Sequence, residues 1–329
     1  MCREPGSDGA RVKGERPDGD DWRPAAGLAA LRRRAEYLAA IRRFFAARDV
    51  IEVETPLLAR AGVTDVAIEG LREAATGRWL QTSPEYAMKR LLAAGLGDCY
   101  QITRAFRAGE QGRLHNPEFT LLEWYRLGWD GSGLMAEVAA LVDGILGPLS
   151  VTQCTYRDAF LAAGLPDPIA AEDAALRQAA EQRLAGVLPE GLGRAGYLDL
   201  LLDGVVVPTL PARCFLTGYP ADQAVLARLD ADDPRVAARF ELFCEGVEIA
   251  NGFVELTDAQ ALRSRFEADQ AARAAAGVAV PAVDERLLAA LESGLPDCAG
   301  VALGLDRLLM LAEGARSLDA VIAFPWEQA

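Results

Sequence analysis

The 329-residue chain has a single histidine, His115, and none of its six cysteines forms a C-x-x-C pair. This shortage excludes the common structural zinc clusters and predicts scattered reduced thiols rather than a disulfide framework. Lysine is nearly absent too: of 34 basic residues, only Lys13 and Lys89 are lysines. A formal net charge of −14 argues against a broad grip on nucleic acid, although a local basic patch could survive it. No apolar run is long enough to cross a bilayer, and the polar first 24 residues lack the apolar core of a signal peptide. A soluble, cytoplasmic protein is the expectation.

The informative stretch is residues 104–125, RAFRAGEQGRLHNPEFTLLEWY. Side chains alternate from Tyr100 to Arg107 and again from Glu118 to Arg126, with Phe119, Leu121, Glu123 and Tyr125 on one face. Two period-2 runs joined by a polar segment holding Gly109, Gly112 and Pro117 predict an antiparallel hairpin with a long loop. Loops of that length are more often functional than short turns. Arg107 and Arg113 could fork phosphate oxygens, His115 and Asn116 add directional hydrogen bonds, and Phe119 offers a face for a base. On these residues alone, a nucleotide site and a solvated surface hairpin both stay open.

Elsewhere the first 25 residues, rich in Gly, Asp, Arg and Pro, read as a disordered tail. Leu31, Leu38, Ile41 and Phe45 then mark one face of a helix, followed by a strand at 50–55 that Pro56 closes. In Gln81–Glu85, Ser83 is a candidate helix cap, Pro84 suits the first position and Glu85 complements the helix dipole, the helix ending at Gly95. Residues 133–190 are Ala- and Leu-rich helical segments within an insertion spanning about 133–210. Gly191–Gly196 satisfies G-x-G-x-x-G but follows no clear strand, so a loop is expected there.

Strands at 213–219, 239–244 and 247–249 follow, the last two meeting at Gly246, with a second bend expected at Gly252. Glu241, Glu245, Glu248 and Glu255 amid Phe and Val call for metal or cationic partners, unless they line an exposed edge strand. Helices at 257–276 and 284–293 lead to a glycine-rich turn at 294–304, with Phe324-Pro325 closing the core.

The 106–125 stretch resembles motif 2 of class II aminoacyl-tRNA synthetases of the lysyl branch. Residues 300–311, GVALGLDRLLML, resemble motif 3 of that class, and the helix, strand and proline of 28–56 resemble motif 1. The likeness runs from Leu28 to Phe324. It implies an α+β fold, an antiparallel sheet of about six strands flanked by helices, in one catalytic domain over 26–329. It also implies a homodimer, ATP and Mg²⁺.

By the same resemblance, Arg107 and Arg307 are catalytic. Arg107 would hold the α-phosphate, His115 would lie near the terminal phosphates, and adenine would sit between Phe119 and Arg307 with Asn116 at its edge. Glu110, Glu248, Ile249 and Gly304 complete the implied ATP site, and Glu241 and Glu248 the metal site. Ser83, Pro84, Glu85, Tyr125, Asn251, Glu255 and Ala302 would surround the amino acid. The sequence departs from the family at three points: Gly109 stands where motif 2 usually has its adenine-contacting glutamate, Ala87 replaces a tyrosine, and Ala302 replaces a glycine.

The lysyl tRNA enzymes carry an N-terminal OB-fold, and the catalytic pattern here begins too early to leave room for one. With the acidic charge, this favours a protein acceptor over tRNA. The resemblance implies ATP-dependent activation of lysine or (R)-β-lysine and its transfer to a lysine side chain of elongation factor P. A truncated tRNA synthetase, an amino-acid amidating paralogue and a catalytically silent regulator are the alternatives.

Overall fold

The computed structural model describes residues 22–189 and 191–329. The tail expected at 1–25 lies outside the described residues up to position 21, and Ala25 already donates its amide to Ala323 O. The first half of the chain runs α1 (Leu28–Ala46), β1 (Ile51–Glu52), β2 (Leu58–Ala59), β3 (Trp79–Leu80), α2 (Glu85–Ala93), β4 (Cys99–Phe106) and β5 (Glu118–Leu127). Next come α3 (Gly131–Leu146), β6 (Thr152–Thr155), α4 (Tyr156–Ala162), α5 (Asp173–Arg183) and α6 (Arg194–Leu201). The chain closes with β7 (Arg213–Pro220), β8 (Val236–Cys244), β9 (Val247–Val254), α7 (Ala259–Ala275), α8 (Glu285–Glu292), β10 (Cys298–Gly304) and α9 (Leu305–Ala312).

The expected hairpin forms: β4 and β5 pair antiparallel from Cys99↔Tyr125 to Phe106↔Glu118. They belong to an eight-stranded sheet of order β1-β4-β5-β10-β9-β8-β7-β6. The architecture is α+β, but with eight strands rather than about six. It is mixed rather than wholly antiparallel, because the edge strands β1 and β6 pair parallel to β4 and β7. The strand expected at 50–55 shortens to β1, while the four-residue β6 and the glycine-bearing β10 are the strands that alternation did not reveal.

Register sorts the side chains onto two faces. Leu122, Leu303, Ala250 and Leu242 stand side by side across β5, β10, β9 and β8. With Trp124, Val301 and Phe240 they form the main core under α1, α3 and α9. Each large apolar side chain buried there contributes about 1.5–3 kcal/mol. Phe45 of α1 stacks on Tyr100 at 4.3 Å between ring centres, which fixes the helix to the hairpin. The helices α4, α5 and α6 build a second core against Leu216, Tyr219 and Phe243 of β7 and β8. By contrast α3, which the sequence reading set at the start of the insertion, packs into the main core.

Four local expectations change. Gly252 makes no bend: it lies inside β9, where an added Cβ would come 2.3 Å from the Phe240 ring. A close approach, not a turn, explains this glycine. The segment 294–304 is mostly strand β10, with only Gly294 in a left-handed conformation. The Gly191–Gly196 motif is not wholly a loop, since α6 starts at Arg194. Phe324 is 51% exposed, and Val321 and Ile322 close the core in its place. The five described cysteines are free, yet not scattered: Cys154 and Cys214 approach to 3.4 Å across β6 and β7. Among the described residues no helix is long and apolar enough to cross a membrane.

Candidate active site

The opposite face of the sheet is polar. One row across five strands reads Gln101, Glu123, Ala302, Asn251 and Glu241, and the next reads Tyr125, Gly300, Phe253 and Arg239. Over it opens a cavity of about 960 Å³. Every residue that the resemblance implies for ATP, amino acid or metal lines this one cavity, although they come from widely separated segments. Arg113 does not. It donates to Arg316 O and so ties the hairpin loop to the C-terminal segment.

At one end the loop between β4 and β5 presents basic and aromatic groups. Arg107 Cζ lies 5.2 Å from the centre of the Phe119 ring, a cation–π contact. Arg307 springs from the first turn of α9 and donates to Leu114 O, to Glu248 and to His115 Nε2 at 2.7 Å. Burial, then the Arg307 charge, lowers the His115 pKa, so the ring is a neutral acceptor at pH 7. Asn116 spends both ends of its amide on the backbone, donating to Glu118 O and accepting from Trp326 N. Gly109 has φ +74°, a conformation that disfavours glutamate, and the next residue, Glu110, reaches the cavity instead.

At the other end three carboxylates converge: Glu85 from α2, Glu123 from β5 and Glu255 just beyond β9. Ser83 does not cap α2 by itself; Pro84 takes the cap position, and Ser83 Oγ accepts from Glu85 N while donating to Glu123 at 2.6 Å. Tyr125 OH donates to the other Glu123 oxygen at 2.7 Å. Glu123 is 2% exposed and has no cationic partner among its hydrogen bonds. Burial, with Glu85 nearby, pushes its pKa up to about 8. Between the usual value of 4.5 and about 8, folded Glu123 keeps its proton while the unfolded chain releases it. The native state binds more protons there, so this group makes stability fall as pH rises through the window. Glu123→Gln is expected to raise the melting temperature by a few degrees at pH 8 and to flatten its pH dependence, as a thermal-unfolding series would show.

Between the two ends, Glu241 pairs with Arg239 and Glu248 with Arg307 at 3.1 Å. Burial raises the Glu241 pKa against the lowering effect of Arg239. Strands β8 and β9 are interior strands, so these glutamates do not guard an exposed edge. Among the described residues no three His, Cys, Asp or Glu side chains form a closed metal cage. Two carboxylates facing a cavity suit Mg²⁺, which takes few protein ligands and leaves the rest to phosphate and water.

Sequence reasoning missed four groups. Lys89 lies one helical turn after Glu85, and its place as one of two lysines was the available signal. Glu123 shares a face with Phe119, Leu121 and Tyr125 in the sequence pattern, but the pattern gives it no task. Arg239 stands two residues before Glu241 on the same strand face, at a spacing that could have revealed the pair. Asp199 and Asp203, on α6 and the π-helical turn after it, also line the cavity, and burial pushes Asp199 up to about 6. Nothing local in the sequence marks that helix as facing the site.

Residues 21–328 match the family of class II tRNA synthetases (D, K and N). The chain is 47% identical to the elongation factor P–(R)-β-lysine ligase of Pectobacterium atrosepticum over 321 residues, covering 94% of this chain and 98% of that protein. It is 46% identical to the protein of the same name from Proteus mirabilis, covering 93% and 97%. This chain therefore belongs to the class II tRNA synthetase family, in the branch of the aspartyl, lysyl and asparaginyl enzymes.

Proposed function

We propose that the protein activates (R)-β-lysine, or lysine, with ATP and transfers it to a lysine side chain of elongation factor P. The observation that carries this reading is the polarity of one cavity: guanidinium groups at one end, converging carboxylates at the other. The names of relatives matched over nearly their whole length support the same activity.

In the first step a substrate carboxylate oxygen attacks the α-phosphorus of ATP, the bond to pyrophosphate breaks, and an acyl-adenylate forms. In the second, the acceptor amine attacks the acyl carbon, loses a proton and expels AMP. Charge accumulates on phosphate oxygens, so positioning and electrostatic stabilisation dominate. Arg107 and Arg307 would grip the α-phosphate and the adenine end, with His115 near the terminal phosphates. Phe119 would stack on the base, Asn116 would meet its edge, and Glu110, Ile249 and Gly304 would shape the rest of the ATP pocket. Glu241 and Glu248 would hold Mg²⁺, which neutralises charge on the phosphates. Glu85, Glu255, Asn251 and Tyr125 would receive the substrate's ammonium groups beside Ser83, Pro84 and Ala302. The methyl group of Ala302 lines this end of the cavity, and a methylene-scale change is worth about 1–3 kcal/mol of discrimination.

We place the enzyme in the cytoplasm as a homodimer with one catalytic domain and a helical insertion, and with no tRNA partner. Ile51, Leu57 and Leu58, exposed after α1, support the dimer. Incubating the enzyme with ATP, (R)-β-lysine and either elongation factor P or tRNA, then weighing both acceptors, tests the reading. A mass gain on elongation factor P alone is expected, and a gain on tRNA alone would refute it.

A further inference from the structure

The acidic end of the cavity contains a cation that belongs to the protein. Lys89 Nζ lies 2.6 Å from Glu85 Oε1 and 2.6 Å from Glu255 Oε2. The side chain is 1% exposed and stands behind the two carboxylates, outside the cavity lining. Glu255 is equally buried, and neither of its oxygens makes a hydrogen bond of good geometry: Oε2 is held by the ion pair with Lys89, and Oε1 has no partner. That oxygen lies over Gly300 on the cavity floor, 2.5 Å from where a Cβ at that glycine would be. A buried carboxylate with one oxygen clamped and the other unpartnered is costly unless a further donor arrives.

We propose that Lys89 is a positioning residue that fixes Glu85 and Glu255 from behind and cancels one of their charges, so that the pocket balances only with a substrate carrying two ammonium groups. The proposal rests on the amino-acid reading of this end of the cavity and deepens it. Glu123 keeps its proton, so Glu85 and Glu255 supply two carboxylates against the one cation of Lys89. A diamino acid, with two ammonium groups and one carboxylate, brings the single positive charge still needed. A monoamino acid leaves one buried carboxylate unpaired, which penalises its binding.

The groups facing Lys89 come from every side of the site. Glu85 lies on its own helix, Glu255 after β9, Glu123 and Tyr125 on β5, and the Cys298 thiol on β10. Burial opposes the charge on Lys89, but Glu255 and then Glu85 outweigh it and raise its pKa, so the ammonium is permanent. For Glu255 burial raises the pKa, and Lys89 is the main influence holding it down. Without Lys89, Glu255 would remain protonated at neutral pH and could not pair with an ammonium group.

The test is amino-acid-dependent ATP–pyrophosphate exchange with Lys89→Met, the KM for the lysine isomer and for ATP being measured from about pH 6.5 to about pH 9.5. The amino-acid KM should rise about tenfold at pH 7 and recover as pH rises, with the ATP KM within about twofold of the unaltered enzyme. Lys89→Gln keeps a donor between the carboxylates but no charge. It should show the same pH displacement, and it carries the measurement if Lys89→Met does not fold. An unchanged amino-acid KM, or a parallel rise in both KM values without a pH displacement, overturns the proposal. If the unaltered enzyme exchanges with no lysine isomer, the amino-acid reading itself is lost; a working enzyme with an indifferent variant overturns the role of Lys89 alone.

Discussion

Arg107→Ala is expected to lower kcat for adenylate formation by about 10²–10³-fold while leaving the melting temperature almost unchanged. Both halves of that expectation come from how the side chain is held. Its backbone amide closes the hairpin by donating to Pro117 O, and a side-chain replacement leaves that bond intact. The guanidinium rests over Phe119 and approaches Glu110 only to 3.5 Å, a long and half-exposed contact of little energetic weight. Arg307, by contrast, is engaged by Leu114, His115 and Glu248, so its loss would disturb the loop and α9 together. Arg107 is therefore the cleaner probe of charge stabilisation in the transition state. Lysine should rescue little, because a point charge does not reproduce a planar fork. Pyrophosphate exchange under saturating ATP and amino acid gives the number, and a loss smaller than tenfold would remove Arg107 from the α-phosphate.

What the sequence revealed and what it hid follow from the range of the interactions. The hairpin was legible because alternation over eight and ten residues is a local property, and β4 and β5 have those lengths. Helix α7 was legible through Asp258, whose carboxylate accepts from Ala261 N as a cap should. The four-residue β6 carries too little alternation to announce an edge strand, and the glycines of β10 disguise it as a turn, so the sheet was undercounted. Gly252 was misread because a glycine needed for a turn and one needed for a close approach look alike in sequence. Only the pairing of β8 with β9 brings Phe240 over it.

The site shows the same division. The residues carried by motifs reach the cavity, from the loop between β4 and β5 as well as from strands and helices. The residues missed act on other side chains. Lys89 faces carboxylates rather than the cavity, and Arg239 neutralises Glu241 from the adjoining row. Buried charges must be paired, so four glutamates near β8 and β9 already required cations from somewhere. The need was local, but the identity of the donors was set by tertiary contact.

Gly300→Ala should damage the amino-acid end of the cavity, as Arg107→Ala damages the other. An added Cβ would lie 2.3 Å and 2.5 Å from two carbons of the Tyr125 ring and 2.5 Å from Glu255 Oε1. Neither neighbour can yield cheaply. Tyr125 is 2% exposed, and its hydroxyl donates to Glu123; Glu255 is 1% exposed and pinned by Lys89. Relief has to come from moving the ring, which breaks the bond to Glu123, or from moving the carboxylate, which loosens its ion pair. Overpacking of this kind costs about 1–3 kcal/mol of stability. The amino-acid KM should rise about 10–100-fold, the equivalent of a similar loss in binding. The ATP KM should stay within about twofold, because Phe119, Arg107 and Arg307 stand on other elements. Denaturant unfolding measures the first effect, and separate titrations of the two substrates in the exchange assay measure the others. If the variant lost stability but kept its amino-acid KM, Tyr125 and Glu255 would be packing residues, and the ammonium groups would bind elsewhere in the cavity.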